Sequence, residues 1–341
     1  MLKSLRPFRF ASLALLALGG LAANRAAADD RWIVFEGKDG PGKGKHIVFV
    51  TGDEEYRSEE ALPQLAKILA VHQGFKCTVL FAVNKETGEI DPKTLDNIPG
   101  LEALQSADLM VMALRFRELP DEQMKMIMDY TNAGKPIVAL RTSTHPFNYV
   151  KHKDSPYAKW SFNCRQKGSE GGYGRQVLGE TWISHYGHHQ KESTRGLVAK
   201  GMEKSPLVKG CEDIWGPSDV YGLTKLHGDC QPVIMGQVLE GMNPTDKPNE
   251  KKELVPVAWT KSYTGTAGKA SRIFTTTMGH AGDLESEGFR RLLVNACFWA
   301  MDMEDKIPER AKVDLVGQYK PTPIGFGGHK KGLKPADHKL P

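Results

Sequence analysis

The chain has 341 residues, of which 40% are hydrophobic, and can therefore bury one sizeable core or form two domains. Its 46 basic and 41 acidic residues give a formal net charge of +5, which excludes the strongly basic surface of a nucleic-acid-binding protein. Five cysteines, an odd number without dense spacing, argue against a disulfide scaffold, although an exported chain could pair Cys211 with Cys230.

The first 28 residues have the pattern of a secretory signal peptide. Basic side chains before residue 10 precede an apolar run over 10–23, and alanines at 26–28 supply the small residues expected before a cut at Asp29. We therefore expect an exported mature chain, periplasmic or extracellular, that retains no membrane span. Without the leader, 42 of the 46 basic residues remain against 41 acidic ones, so the mature chain is close to neutral.

After a lead-in at 29–44, strands and helices alternate. The first helix is expected to be capped by Ser58 and to end at Gly74, and the second to end at Gly134. Buried strands that alternate with helices predict an α/β fold with a doubly wound, mostly parallel sheet of flavodoxin-like type. The strands are predicted at 45–52, 76–83, 107–114 and 135–142, and the helices at 58–73 and 120–134.

A long insertion at about 146–230, rich in glycine, aromatic and polar residues, interrupts this alternation. Such an excursion after a sheet strand is typical of a functional segment or a poorly ordered lid. Three extended segments and an amphipathic helix then complete one domain over 45–303. They are predicted at 231–241, 253–263, 270–280 and 286–303. The basic tail at 304–341 is rich in Gly and Pro, and we expect it to be extended and largely disordered, with a tail laid over the surface as the alternative.

Three polar loops are expected at the carboxyl edge of the sheet, where ligands bind in folds of this type. The loop after the first strand has no repeated glycine and carries many carboxylates, which excludes a phosphate cradle. The loop after the fourth strand lacks the G-x-S-x-G pattern that a serine nucleophile at Ser143 would need. The candidate site residues in the three loops are Glu54, Tyr56 and Arg57; Arg141, Thr142 and His145; and His280.

A loop within the insertion holds three histidines within five positions, His185, His188 and His189. A glycine interrupts them and the glutamate of an H-E-x-x-H motif is absent, which excludes a zinc-protease helix. One or two of these histidines could bind a divalent metal with a carboxylate such as Glu180 or Asp219, and we name His188 and His189 as candidate ligands. The alternative is a polar loop that packs on neighbouring aromatic residues.

Four segments, at 45–69, 135–147, 205–222 and 256–300, carry a resemblance to a known family. The last segment is the most specific, with a P-V-A-W strand, an R-x-F-x-T strand, a G-H pair and an F-R-R-L-L-x-N helix. In this order they resemble the ThuA-like (trehalose-utilisation) family of the class I glutamine amidotransferase-like superfamily, in an exported version like those of planctomycete-type bacteria. The resemblance implies a flavodoxin-like core and a link to carbohydrate metabolism.

The resemblance does not imply amidotransfer, because Arg141 stands in the loop where those enzymes present a catalytic cysteine. The ThuA-like pattern at this loop is G-I-H-S-A, so Arg141 also replaces the family histidine. The family's D-E-x-Y motif is found as Asp219-Val220-Tyr221, with one carboxylate fewer. The family's loop histidine corresponds to His188 or His189.

Three functions fit these observations. The first is an exported enzyme that acts on a small-molecule carbohydrate or an oxidised sugar derivative. The second is a non-catalytic carbohydrate-binding or structural protein, and the third is a divalent-metal-dependent hydrolase that uses the loop histidines. The sequence assigns catalytic roles to His280, His145, Arg141 and Thr142, substrate binding to Glu54, Tyr56, Arg57, Trp182, Trp215, Asp219 and Tyr221, and metal binding to His188 and His189.

Overall fold

The computed structural model describes residues 1, 30–223 and 225–340, so the predicted signal peptide lies outside the described residues apart from Met1. Three α-helices are described, α1 (Ser58–Gln73), α2 (Asp121–Asn132) and α3 (Glu287–Ala300). The strands of the described residues are β1 (Trp32–Phe35), β2 (His46–Gly52), β3 (Lys76–Leu80), β4 (Leu109–Leu114), β5 (Ile137–Leu140), β6 (Ser184–His185), β7 (Thr194–Val198), β8 (Trp215–Gly216), β9 (Tyr221–Gly222), β10 (Gln231–Val238), β11 (Val255–Thr264) and β12 (Ala270–Thr276).

One sheet of ten strands runs in the order β1-β3-β2-β4-β5-β12-β11-β10-β7-β8. Its five central strands, β3-β2-β4-β5-β12, are all parallel. When these five strands are numbered by their order in the chain, their order across the sheet is 2-1-3-4-5, which is the flavodoxin-like order. The predicted fold class is confirmed in this central sheet, while the remaining pairs at both ends are antiparallel.

The central strands are apolar on both faces because helices cover each face of the sheet. α1 and α3 pack on one face against Ile47, Phe49 and Val111. α2 and the segment around Leu101 pack on the other. α1 ends as predicted at Gly74, which takes the left-handed conformation at φ 81°. Its N-cap is Arg57, not Ser58, whose hydroxyl accepts the N–H of Gly52.

Two parts of the chain hold strands that the sequence analysis did not predict. The lead-in at 29–44 contains β1, which pairs with β3 at one end of the sheet. The insertion contributes β7 and β8 to the other end, and it also forms a small separate pair, β6 and β9. The strands from the insertion are two to five residues long, too short for an alternating apolar pattern to be distinctive.

The tail is extended and lies on the surface of the domain, with specific contacts along its length. The Tyr319 hydroxyl donates to the Ala281 carbonyl at 2.7 Å, Thr322 binds the Glu60 carboxylate, and the His338 ring stacks on Phe81. Low apolar content suggested disorder, yet a few anchor side chains and hydrogen bonds to the domain hold the tail in place.

The five cysteines are free, so the pairing considered for Cys211 and Cys230 is not formed. Cys77 and Cys297 are buried in the core, where they act as small apolar side chains. Among the described residues, no helix is both long enough and apolar enough to cross a bilayer.

Candidate functional site

Polar side chains meet at the carboxyl edge of the parallel sheet, in the loops that follow β2, β4, β5 and β12. Arg141 is the first residue after β5, and its positive φ of 46° directs the chain sharply away from the sheet. Such backbone conformations are uncommon for residues other than glycine and often occur at functional sites. The guanidinium at this turn is buried, with 1% of the residue exposed.

Arg141 is held by three oxygens and two aromatic rings. Its Nη1 donates to the carbonyls of Asp219 and Thr277 at 2.6 and 2.7 Å, and its Nη2 donates to Asp219 Oδ1 at 2.8 Å. Its guanidinium carbon lies 3.7 Å from the centre of the Tyr221 ring and 4.3 Å from that of Tyr56. These contacts use both terminal nitrogens of the guanidinium, while the buried Nε has no hydrogen-bond partner among the described residues. Arg141 therefore supports Asp219.

Asp219 is the anionic centre of the site. Its Oδ2 accepts the Nδ1–H of His185 at 2.7 Å, and its Oδ1 accepts that of His189 at 3.0 Å. Burial opposes the carboxylate charge, but Arg141 and the two histidine hydrogen bonds outweigh burial and hold the pKa of Asp219 below its usual range. The carboxylate is therefore charged at neutral pH.

A tight turn brings the two histidines to Asp219. The N–H groups of Tyr186 and Gly187 both donate to the Val220 carbonyl, at 2.9 and 3.0 Å. A Cβ at Gly187 would lie 3.1 Å from the Cβ of Asp219, so the glycine allows the two backbone segments to approach closely.

A second acidic group, Glu54 and Glu55, lies in the loop after β2. Arg115 and Arg117, directly after β4, both form ion pairs with Glu54, and Arg117 Nη2 lies 2.7 Å from Glu54 Oε2. Glu55 Oε1 lies 3.3 Å from His189 Nε2, which joins this group to the histidine cluster. Arg115 and Arg117 are not among the predicted site residues, although both follow the end of a parallel strand, as Glu54 does.

His145 and Thr142 are buried in the turn after β5. His145 lies among the rings of Phe116, Trp182 and Tyr221, and its Nδ1 lies 3.1 Å from the Thr144 hydroxyl. Burial holds the pKa of His145 well below its ordinary value of 6.5, so its ring is neutral. The Thr142 hydroxyl is buried and has no hydrogen-bond partner among the described residues.

His280 caps the short helical turn at Ala281–Glu285. Its Nδ1 accepts the N–H of Gly282 at 2.9 Å, and its Nε2 donates to the Thr322 carbonyl of the tail at 3.2 Å. Burial lowers the pKa of His280. Both ring nitrogens are thus used in structural hydrogen bonds, which does not favour the predicted catalytic role.

Two of the predicted substrate-binding residues lie in other surroundings. Arg57 is buried, and its guanidinium donates to the carbonyls of Glu54 and of Gly325 in the tail. Trp215 lies on β8 at the edge of the sheet, where its indole N–H donates to Ser193 at 3.1 Å. Both predictions followed from position in a loop, which does not reveal the direction of a side chain.

The rim of the site is partly aromatic. Trp182 is partly exposed, with its ring centre 5.4 Å from that of His145 and 5.9 Å from that of His185. Phe116 is also partly exposed, and the exposed Phe326 of the tail lies over Arg115. The rim therefore offers accessible ring faces beside imidazoles and carboxylates.

The predicted metal ligands were His188 and His189, whereas the structure places His185 beside His189. His185, His189 and Asp219 form a group of metal-ligand type, and His188 is not part of it within the described chain. The side chain of His188 is exposed. Among the described residues Glu180 does not join the group either, since its carboxylate binds Arg175 and the N–H of Thr181.

No family model and no curated protein matches the sequence. Among solved structures, the chain is similar to a protein described as ThuA-like from Parabacteroides merdae, at 16% identity and a TM-score of 0.49 over 83% of this chain and 98% of that chain. A second protein described as ThuA-like, from Bacteroides uniformis, shares 14% identity at a TM-score of 0.45 over 77% of this chain and 94% of that chain.

PurLQS from Thermotoga maritima is similar over 75% of this chain and 99% of that chain, at 10% identity and a TM-score of 0.38. Structural similarity at such low sequence identity does not indicate an activity, a ligand or a substrate for this chain.

Proposed function

We propose that the chain is an enzyme that acts on a carbohydrate or an oxidised sugar derivative at the cluster around Arg141. The supporting observation is the composition of the site, where the partly exposed ring of Trp182 adjoins His185 at the rim. His185 shares the Asp219 carboxylate with His189, which in turn lies 3.3 Å from Glu55. An apolar wall with a few convergent polar groups is typical of small-molecule sites.

The rim matches the two kinds of surface that a sugar presents. The C–H face of a sugar ring can pack on Trp182, as apolar groups do on aromatic rings. Its hydroxyls can donate to the carboxylates of Glu54 and Glu55 and exchange hydrogen bonds with the imidazoles of His185 and His189. The predicted participation of Glu54 and Asp219 is kept in this proposal, with Asp219 as the support of the two histidines.

The proposal excludes glutamine amidotransfer. Arg141 stands at the strained turn after β5, and a thiolate nucleophile at that place would need a cysteine. Arg141 also has a structural role at this position, because its guanidinium contacts Asp219, Thr277 and two tyrosine rings. We infer that this turn now builds the anchor for Asp219 and its histidines. The proposal includes export, on the strength of the signal-like leader at 1–28.

Binding and turnover of a panel of monosaccharides, disaccharides and their keto derivatives test this proposal. Wild-type protein is expected to show a saturable sugar-dependent rise in Tm and turnover of at least one member. Trp182→Ala should weaken binding about 2- to 13-fold, which corresponds to an aromatic contact of about 0.5–1.5 kcal/mol. Trp160→Ala, a partly exposed tryptophan that contacts Tyr173, is the matched control and should leave binding unchanged.

Binding of sugars without turnover of any member would contradict the enzymatic role and favour the non-catalytic binding protein. Absence of any sugar-dependent shift, or equal effects of the two tryptophan variants, would reject the carbohydrate site.

A further inference from the structure

The imidazoles of His185 and His189 and the carboxylate of Asp219 converge from two segments of the insertion. One potential ligand atom from each residue lies within 4.8 Å of the other two. We propose that these three side chains bind a divalent transition-metal ion such as Zn²⁺. The inference rests on the proposed function for its biological role, since the ion would lie beside the proposed carbohydrate.

The donor set suits such an ion. Two imidazoles and one carboxylate are a common set of protein ligands for zinc and related metals in sites that keep a position open for water or substrate. With metal–ligand distances of about 2.0–2.2 Å, ligand atoms around a tetrahedral ion lie roughly 3.3 Å apart. The Nδ1 atoms of His185 and His189 lie 2.7 and 3.0 Å from the Asp219 oxygens, so a small outward shift of the rings makes room for the ion.

Contacts behind the ligands would orient them. Arg141 holds Asp219 through its carboxylate and its carbonyl, and both residues are buried. Glu55 Oε1 lies 3.3 Å from His189 Nε2, so with Nδ1 on the ion, Nε2–H would donate to this carboxylate. Histidine ligands of metals commonly donate their other N–H to a carboxylate in this way.

The site is also accessible. The side chains of His185 and His189 are 33% and 26% exposed, whereas that of Asp219 is fully buried. An ion can therefore enter from the rim and bind against a fixed carboxylate. Entry, ligand type and support behind the ligands are the features that a metal site needs.

Titration of tag-free, chelator-treated protein with Zn²⁺ by calorimetry and with Co²⁺ by absorption tests the site. One ion is expected to bind per chain. His185→Ala and His189→Ala should each weaken binding by more than the roughly 10- to 100-fold that loss of a supporting contact costs at metal sites. His188→Ala is the matched control in the same turn and should bind as the wild type does. The Co²⁺ spectrum should lack a thiolate charge-transfer band, which excludes the free cysteines as ligands.

Failure to bind either ion saturably, or unchanged affinity in both His185→Ala and His189→Ala, would overturn the proposal. In that case the histidines serve only as hydrogen-bond donors to Asp219. Sugar-dependent Tm shifts of the metal-free protein separate this outcome from the proposed function. Sugar binding without metal binding rejects only the metal site, and metal binding without any sugar response rejects only the carbohydrate activity.

Discussion

The loops of the parallel sheet and the insertion that covers them contribute histidines of two different kinds. His145 and His280 follow β5 and β12, and both are buried and bound within the structure. His185 and His189 belong to the insertion, are partly exposed and share the Asp219 carboxylate. Among the histidines, those of the sheet edge are structural and those of the insertion are accessible.

The difference shows what position at a strand end does and does not imply. Parallel strands bring their loops together, so side chains there are close to one another. Whether a side chain is available for chemistry depends on what covers it. Aromatic rings bury His145, and the tail binds Nε2 of His280, whereas the turn at Gly187 leaves His185 at the rim.

The largest expected effect lies at the junction of the two regions, in the pair formed by Arg141 and Asp219. Asp219→Ala should lower the free energy of unfolding by about 3–5 kcal/mol, because it leaves a buried guanidinium without its carboxylate. Urea denaturation measures the loss. Asp154→Ala, at an exposed position, is the control and should stay within about 0.5 kcal/mol of wild type. A loss below about 1 kcal/mol for Asp219→Ala would show that the two backbone carbonyl partners of Arg141 stabilise its buried guanidinium without the carboxylate.

Much of the framework followed from the sequence, because periodicity and strand-end position are local properties. The four strands and two helices predicted in the first half, the three extended segments and the helix predicted at 231–303, and the loops of Glu54, Arg141 and His280 could be placed in this way. The choice of His185 over His188 could not, since it depends on a turn that is fixed by contacts with Val220. The contacts that hold Arg57 and the tail could not be predicted either, because each joins residues more than 200 positions apart in the chain.

The second prediction concerns the pH dependence of stability that buried His145 causes. Its folded pKa lies below the unfolded value near 6.5, because burial and the charges of Arg115 and Arg141 disfavour the imidazolium, with His185 adding to them. Below pH 6.5 the unfolded chain therefore binds more protons, and stability is lost as the pH falls. The contribution of this group is up to about 1.4 kcal/mol per pH unit.

His145→Phe keeps a ring in the same aromatic surroundings but cannot take up a proton. Chemical denaturation at pH 7, 6 and 5 should show a shallower loss of stability for this variant than for the wild type. His152→Gln, at an exposed histidine, serves as the control and should follow the wild-type slope. Identical slopes for wild type and His145→Phe would mean that His145 is not the group that resists protonation.

The smallest effect is expected for His280, and it separates a structural histidine from a catalytic one. His280→Ala removes the acceptor for the Gly282 N–H and the donor to Thr322, and loss of such a cap costs about 1 kcal/mol. His280→Asn keeps a side-chain acceptor at the cap and should recover most of the loss in thermal unfolding. Turnover of any sugar found active should change little in both variants, whereas His185→Ala, which removes a proposed contact to the sugar, should lower it at nearly unchanged Tm. Loss of turnover in His280→Asn with stability retained would place the catalytic group on the sheet edge and reverse the assignment of the two regions.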